Sequence, residues 1–255
     1  MVHASVKSAF TLMAVAWALF GQAKPRPLAE STGSTPVAVK PIVTPSPAQK
    51  ARAGESLRYN VNWPSGLSLG EGQLTSAFQD GVWSYSFNVE AAVPGFTVSE
   101  NARAQATGEG CAVELAKSAV RGKRKSNETT TFDGSRMTAV RTTKDGGKSE
   151  LFLSPCAKDA LSFLYYLRGE LAAGRLPQSQ KVYYGSPYQV TVRYIGAQSL
   201  RIGGEAQGAD HLVATIKGPS SESSVDLFFA RDAARTPLLV QAPFPMGKFS
   251  LELAR

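Results

Sequence analysis

The sequence predicts a mainly β domain of the α+β class, in which a strongly curved antiparallel sheet is wrapped around one principal helix. Three observations lead to this prediction. Apolar and polar residues alternate along many segments, glycine-containing turn signals separate these segments, and a single segment has helical periodicity instead. Strands with one apolar and one polar face suit an antiparallel sheet that is covered on one side only. The helix is expected to supply that cover.

The strand pattern recurs along the whole domain. Alternation with a period of two is found in residues 57–63, 83–91, 96–104, 188–194, 225–229 and 249–253. Turn signals that suit tight connections between antiparallel strands stand at Asp80-Gly81, Asp133-Gly134, Asp145-Gly146-Gly147 and Gly203-Gly204. Each of these segments is therefore predicted to be a half-buried strand.

One segment, from Pro155 to Ala173, is predicted to be the helix. Ser154 suits the N-cap position, Pro155 the first helical position, and Gly174 the position after the last turn. A wide apolar stripe at helical spacing is formed by Ala160, Phe163, Leu164, Leu167 and Leu171. Such a helix would be about 28 Å long, which is enough to lie across several strands.

Two N-terminal segments are expected to lie outside the domain. Residues 1–23 have the form of a signal peptide, with Lys7, an apolar run at 8–20 and a small-residue cleavage pattern at 21–23. This run is shorter than the ~20 apolar residues that a membrane span needs. Residues 24–53 are predicted to be a proline-rich flexible linker, and residues 54–255 the single domain. We therefore expect an exported protein, periplasmic or secreted, with no transmembrane segment after cleavage.

Two cysteines, Cys111 and Cys156, fall inside the domain. In an oxidising compartment such a pair is expected to form a disulfide, which would stabilise the fold by a few kcal/mol. The alternatives are two buried thiols, or a metal or redox site. The missing CxxC motif and the scarcity of histidine count against a metal or redox site.

The chain is basic, with a formal net charge of +8 that includes Lys7 of the predicted signal peptide. The densest cluster is Arg121, Lys123, Arg124 and Lys125, of which the first, second and fourth would share one face of an extended chain. A solvated strand face is the simpler interpretation, and an anionic envelope partner is the alternative. No nucleic acid is expected as a partner, because export disfavours it and no aromatic residues interleave with these charges.

Catalytic signals are weak, so no catalytic residues, metal site or cofactor are predicted. After signal cleavage one histidine remains, His211, and a surface turn is its expected place. No motif of a serine hydrolase, nucleotide-binding loop or zinc protease is present. Arg168 is expected to bind a carboxylate or carbonyl at an end of the sheet, since Asp159 lies on the opposite side of the helix.

Glu100 is unusual because it lies on the apolar face of residues 96–104. A buried carboxylate there would need a cation such as Arg103 or Arg141, or a bulge that turns it away. A catalytic acid is a further possibility. We take a register shift or bulge as the simpler explanation.

Aromatic and leucine side chains suggest a ligand-binding interior. Trp83, Tyr85 and Phe87 lie on one face of one strand, and Leu164 and Leu167 lie on the helix stripe. Core packing explains them, and an apolar cavity for a lipid or acyl ligand is the alternative. These five residues are the predicted ligand-lining set.

Four segments resemble an exported bacterial family that is catalogued as domain of unknown function 3108. They are residues 54–63 (GESLRYNVNW), 70–74 (GEGQL), 159–168 (DALSFLYYLR) and 227–240 (LFFARDAARTPLLV). The resemblance covers nearly all of the domain, and D-x-L-S-x-L-Y-x-L-R is its most specific part. It implies a fold similar to the periplasmic lipoprotein carriers, an incomplete barrel of antiparallel strands closed by helices. It brings no catalytic residues, and the cysteine pair is not general to the pattern.

The leading functional hypothesis is an exported cell-envelope protein, not an enzyme, that holds an apolar lipid or acyl moiety between sheet and helix. A second hypothesis is an envelope scaffold that binds protein or polysaccharide through a basic face. A third is a hydrolase in which two carboxylates share a cleft.

Overall fold

The computed structural model describes residues 52–93, 96–244 and 247–254. The predicted signal peptide and the linker as far as residue 51 lie outside the described residues. Arg52 is only 4% exposed, so the packed part of the chain includes this residue, two positions before the predicted start of the domain. In the described ranges, no helix combines the length and the apolar character that crossing a membrane requires.

The described residues form fifteen strands and one helix, α1 (Ala160–Ala172). The strands are β1 (Ser56–Asn62), β2 (Ser68–Gln79), β3 (Val82–Val93), β4 (Phe96–Thr107), β5 (Ala112–Arg121), β6 (Arg124–Asp133), β7 (Thr138–Thr143), β8 (Lys148–Phe152), β9 (Lys158–Asp159), β10 (Gln180–Tyr183), β11 (Pro187–Ile202), β12 (Glu205–Lys217), β13 (Glu222–Ala230), β14 (Pro237–Phe244) and β15 (Gly247–Leu253). The prediction of a mainly β domain with one helix is confirmed.

All fifteen strands belong to one open sheet, with β8 and β9 at its edges. Strands β1 to β8 follow one another as antiparallel neighbours, β1 pairs with β15, and β15 to β10 continue in reverse order. The parallel pair is β9 with β10. The two ends of the sheet approach each other, because the Tyr183 hydroxyl of β10 donates to the Phe152 carbonyl of β8 at 2.8 Å.

Two-residue hairpins stand at two of the four predicted turn signals, whereas the connections at Asp133-Gly134 and Asp145-Gly146-Gly147 are four residues long. Asp80 and Gly81 have φ values of 53° and 78°, and Gly203 and Gly204 have 59° and 87°. A two-residue type I′ turn needs positive φ at both positions, which explains the Asp-Gly and Gly-Gly pairs. The flanking strands pair in register up to these turns.

Helix α1 begins five residues later than predicted. Ser154 and Pro155 lie outside it, and Lys158 and Asp159 pair with β10 in extended conformation. This pairing holds the backbone before residue 160, so Asp159 becomes the N-cap and accepts from Leu161 N at 2.8 Å. The helix is therefore about 20 Å long rather than 28 Å. Gly174 ends it as predicted, with a φ of 71°.

Cys111 and Cys156 form the predicted disulfide, with their Cα atoms 4.6 Å apart. Cys156 lies in a turn before β9, with a φ of 48°, and not in the first turn of the helix as predicted. The amide of Ala112 donates to the Ala157 carbonyl at 2.8 Å. The bond therefore joins the start of β5 to the segment that leads into the helix.

A buried ion pair anchors the second half of α1. Arg168, with 0% exposure, donates Nη1 and Nη2 to the Glu55 carboxylate at 2.6 Å each. Its Nε lies 3.1 Å from the Ala234 carbonyl and 3.0 Å from the Arg235 carbonyl. Tyr165 donates its hydroxyl to Glu55 at 3.2 Å. The expectation that Arg168 binds a carboxylate or carbonyl is confirmed.

Candidate functional site: an apolar cavity beside a polar pocket

An apolar cavity of about 180 Å³ lies between α1 and the sheet. Aliphatic and aromatic side chains line it from the helix and from strands on both halves of the sheet. They include Leu74, Phe87, Leu161, Phe163, Leu164, Leu167, Val190, Ile216, Val225, Leu227, Phe229, Val240 and Leu251. Such a lining favours an apolar occupant over water.

Several of these lining side chains are only half-buried. Phe87 of β3, Leu164 of α1, Leu227 of β13 and Val240 of β14 combine cavity lining with partial exposure to solvent. The cavity is therefore not sealed by a continuous layer of buried side chains.

The five predicted lining residues divide between two cavities. Phe87, Leu164 and Leu167 line the apolar cavity, whereas Trp83 and Tyr85 line another cavity of about 540 Å³. The reason is the Tyr165 ring, which stacks on Tyr85 with ring centroids 4.3 Å apart. This contact places Tyr85 and Trp83 beneath a different face of the helix.

A polar pocket of about 140 Å³ adjoins the apolar cavity. Charged side chains of β4 to β7 and the turn after β10 surround it. Its lining comprises Glu100, Lys117, Ser118, Ala119, Arg121, Ser126, Glu128, Arg141, Tyr184, Gly185, Ser186 and Tyr188. By formal charge, three cations face two carboxylates.

Each carboxylate in the polar pocket has its own cations. Lys117 Nζ lies 2.7 Å from Glu128 Oε1, and Arg141 Nε donates to Glu128 Oε2 at 2.8 Å. Arg121 Nη2 donates to Glu100 Oε2 at 3.1 Å, and Tyr184 donates its hydroxyl to Glu100. Burial raises the pKa of Glu100, against the opposing effect of Tyr184 and Arg121.

The predicted bulge at Glu100 is wrong. The strand registers run without a break through Glu100, which faces Val89 of β3 and Ala119 of β5. Glu100 is 3% exposed and points inward with its neighbours on the same face. Its charge partner is Arg121, and neither Arg103 nor Arg141 takes that place.

The basic cluster does not form one strand face. Arg121 and Arg124 face each other across a hairpin whose two-residue turn is Gly122-Lys123. Arg121 enters the polar pocket, while Lys123, Arg124 and Lys125 are exposed at the hairpin end. The turn therefore separates residues that an extended chain would have aligned.

His211 also differs from its expected place. It lies within β12 rather than in a turn, and its Nε2 is 2.8 Å from Asp226 Oδ1 on β13. Its ring stacks on Phe228 with centroids 4.3 Å apart. Across the described ranges of the chain, no group of three or more histidine, cysteine or acidic residues could hold a metal ion.

Seven charged or polar pocket residues were not singled out from the sequence for this site: Lys117, Ser118, Ser126, Glu128, Tyr184, Ser186 and Tyr188. Lys117 could have been found from the sequence, because it lies two residues from both Leu115 and Ala119 on β5 and therefore on the same inward face of the strand. Charge at an inward position of a strand indicates a buried polar site, and this holds at Glu100, although a bulge is the simpler explanation from the sequence alone. The partners across the pocket depend on how the sheet curls, which no local pattern reveals.

Comparison with known proteins gives the family and the fold. The family model described as "Protein of unknown function (DUF3108)" matches residues 58–254. Among curated proteins, no match was found. One similar solved structure is the crystal structure of a beta-barrel-like protein of domain of unknown function DUF1849 from Brucella abortus. It has a TM-score of 0.59 at 8% sequence identity and covers 80% of this chain and 97% of that chain. The likeness concerns the fold alone, whereas the family match spans most of the sequence, and this chain therefore belongs to the DUF3108 family of proteins of unknown function.

Proposed function

We propose that this protein is an exported, non-enzymatic envelope protein that holds an apolar moiety, a lipid or acyl chain segment, between the sheet and α1. The observation that carries the proposal is the apolar cavity beneath the helix. Its half-buried lining residues offer a route of entry. The predicted signal peptide and the disulfide support an oxidising, extracytoplasmic location.

The cavity volume limits what can be held. Apolar cavities of about 150 Å³ in other proteins stay dry and accept benzene-sized molecules. A cavity of about 180 Å³ therefore accommodates the end of one acyl chain rather than a complete two-chain lipid. Each methylene that enters contributes about 0.8 kcal/mol of favourable transfer free energy, so a short segment gives useful affinity.

Native mass spectrometry of the protein, after gentle extraction from its envelope, tests the proposal. We expect a co-purifying lipid, or binding of an added medium-chain amphiphile. Leu164→Trp fills the cavity entrance and should abolish this binding. Leu67→Trp is the matched control, because Leu67 is 63% exposed and does not line the cavity.

Two results would contradict the proposal. One is a wild-type protein that carries no lipid and binds no added amphiphile. The other is a folded Leu164→Trp variant that binds as well as Leu67→Trp, since the cavity would then not be the place of binding. Circular dichroism of both variants shows whether each retains the fold.

A carboxylate-based hydrolase is the second candidate, because Glu100 and Glu128 line one polar pocket. Burial raises the pKa of Glu100, whereas Glu128 lies between the cations Lys117 and Arg141, so the two carboxyl groups have different environments, as acid–base pairs do. A hydrolase screen of the wild type, Glu100→Gln and Glu128→Gln tests it. Turnover that both substitutions remove would favour the enzyme, and no turnover in the wild type would count against it.

A further inference from the structure

The apolar cavity and the polar pocket share a wall. Tyr184, just after β10, lines both of them. Its hydroxyl donates to Glu100, and Lys117 Nζ lies 4.1 Å from the centre of its ring. Tyr184 therefore bounds the apolar cavity on one side and contacts the charged groups Glu100 and Lys117 of the polar pocket on the other.

On two strands, one inward-facing residue lines the apolar cavity and the next inward-facing residue, two positions away, lines the polar pocket. On β4, Ala102 lines the apolar cavity and Glu100 lines the polar pocket. On β11, Val190 lines the apolar cavity and Tyr188 lines the polar pocket. Residues two apart on one strand face are about 7 Å apart, so the two linings meet along both strands.

The polar pocket has positive charge and donors to offer an anion. Lys117, Arg121 and Arg141 face two carboxylates, which leaves one positive formal charge in excess. Within the described part of the chain, the buried Nε of Arg121 has no hydrogen-bond partner. Three serine residues also line the pocket, Ser118, Ser126 and Ser186.

We infer that the ligand of this protein is a single-chain anionic amphiphile, a fatty carboxylate, with its tail in the apolar cavity and its carboxylate in the polar pocket beside Arg121. This inference rests on the proposed function and adds the ligand class to it. The guanidinium of Arg121 offers a planar donor pattern that matches a carboxylate. The small apolar volume selects a medium-length chain over a diacyl lipid.

Calorimetric titration of the full chain with three single-chain amphiphiles, each kept below its micelle concentration or solubility limit, tests the inference. The probes are decanoate, decanol and decyltrimethylammonium, whose alkyl tails have nine, ten and ten carbons and whose headgroups differ in charge. We expect decanoate to bind about ten-fold or more tightly than decanol, as a charge-assisted hydrogen bond contributes. The cationic probe should bind most weakly.

Arg121→Gln should reduce decanoate affinity to the level of decanol and leave decanol unchanged. Arg124→Gln is the matched control. It removes the same charge from the facing hairpin position, where the side chain is exposed and does not line the pocket. It should retain the preference of the wild type.

Each outcome bears on a different claim. Equal affinity of the wild type for decanoate and decanol would overturn the headgroup assignment and leave the proposed function in place. Absence of binding by all three probes would overturn both. A preference for decanoate that survives Arg121→Gln would overturn the role of the polar pocket. If Arg121→Gln does not fold, the three wild-type titrations decide alone.

Discussion

Replacement of Arg168 by methionine should destabilise the protein more than any other single change on α1. The substitution leaves Glu55 in a largely buried position without its cation, and it removes the donor to the carbonyls of Ala234 and Arg235. Loss of one partner of a buried ion pair costs ~3–5 kcal/mol. For a domain of this size that corresponds to a fall in Tm of roughly 6 to 20 °C.

Equilibrium unfolding in urea, with the disulfide intact, measures this loss. We expect a lower midpoint with an unchanged slope for Arg168→Met. Arg175→Met is the control, because Arg175 forms an ion pair with Glu170 near the same end of the helix but is largely exposed. It should not move the midpoint measurably.

A double variant isolates the ion pair from other effects of the substitution. Glu55→Gln/Arg168→Met should lose less free energy of unfolding than the two single changes added together, because no buried charge is left unpaired. Additive losses, or a midpoint for Arg168→Met equal to that of Arg175→Met, would refute the anchoring role of the pair.

Three further predictions concern the disulfide, the pH dependence and the helix cap. Replacement of Cys111 and Cys156 by serine should cost about 4 kcal/mol of unfolding free energy in the chain-entropy model, measured against the wild type with its disulfide intact; a loss below about 1 kcal/mol would contradict it. Since burial raises the pKa of Glu100, the folded state holds that proton more tightly, and stability should fall as pH rises above about 4.3. Glu100→Gln should flatten this slope in urea midpoints across pH, and an unchanged slope would argue against the assignment. Asp159→Ala should cost ~1–2 kcal/mol through loss of the N-cap and Asp159→Asn less, and equal losses would contradict capping.

Alternation with a period of two identified six of the fifteen strands in the described residues, β1, β3, β4, β11, β13 and β15, because each of these has one buried and one exposed face. Positive-φ turns stood at two of the predicted pairs, Asp80-Gly81 and Gly203-Gly204. The helix start was misplaced because the Ser154-Pro155 pair has the local chemistry of an N-cap. The pairing of β9 with β10 is a long-range event that competes with that local preference.

The candidate site was only partly predictable for a similar reason. Phe87, Leu164 and Leu167 lie at apolar positions whose inward direction the period reveals. The sequence does not reveal which of these inward-facing residues line the same cavity. That depends on the curvature of the sheet and on which face of the helix each strand contacts. Thus the three residues of β3 that share one face divide between two cavities at the point where Tyr165 stacks on Tyr85.

The D-x-L-S-x-L-Y-x-L-R segment contains two sets of residues, one polar and one of leucines, and within each set the residues are three positions apart. Its polar members fix the helix to its surroundings: Asp159 caps it, Ser162 donates to Asp159, and Tyr165 and Arg168 bind Glu55.

Its leucines, Leu161, Leu164 and Leu167, form a neighbouring stripe that faces the apolar cavity. Residues three apart are neighbours on the surface of a helix but differ by about 60° around its axis, so the two stripes run side by side and wind slowly around the helix. Because the polar stripe anchors the helix through hydrogen bonds and an ion pair, the space beneath the leucines need not be filled to hold it in place. Substitutions in the polar stripe should therefore act mainly on stability, and substitutions in the leucine stripe mainly on the size of the ligand that the cavity accepts.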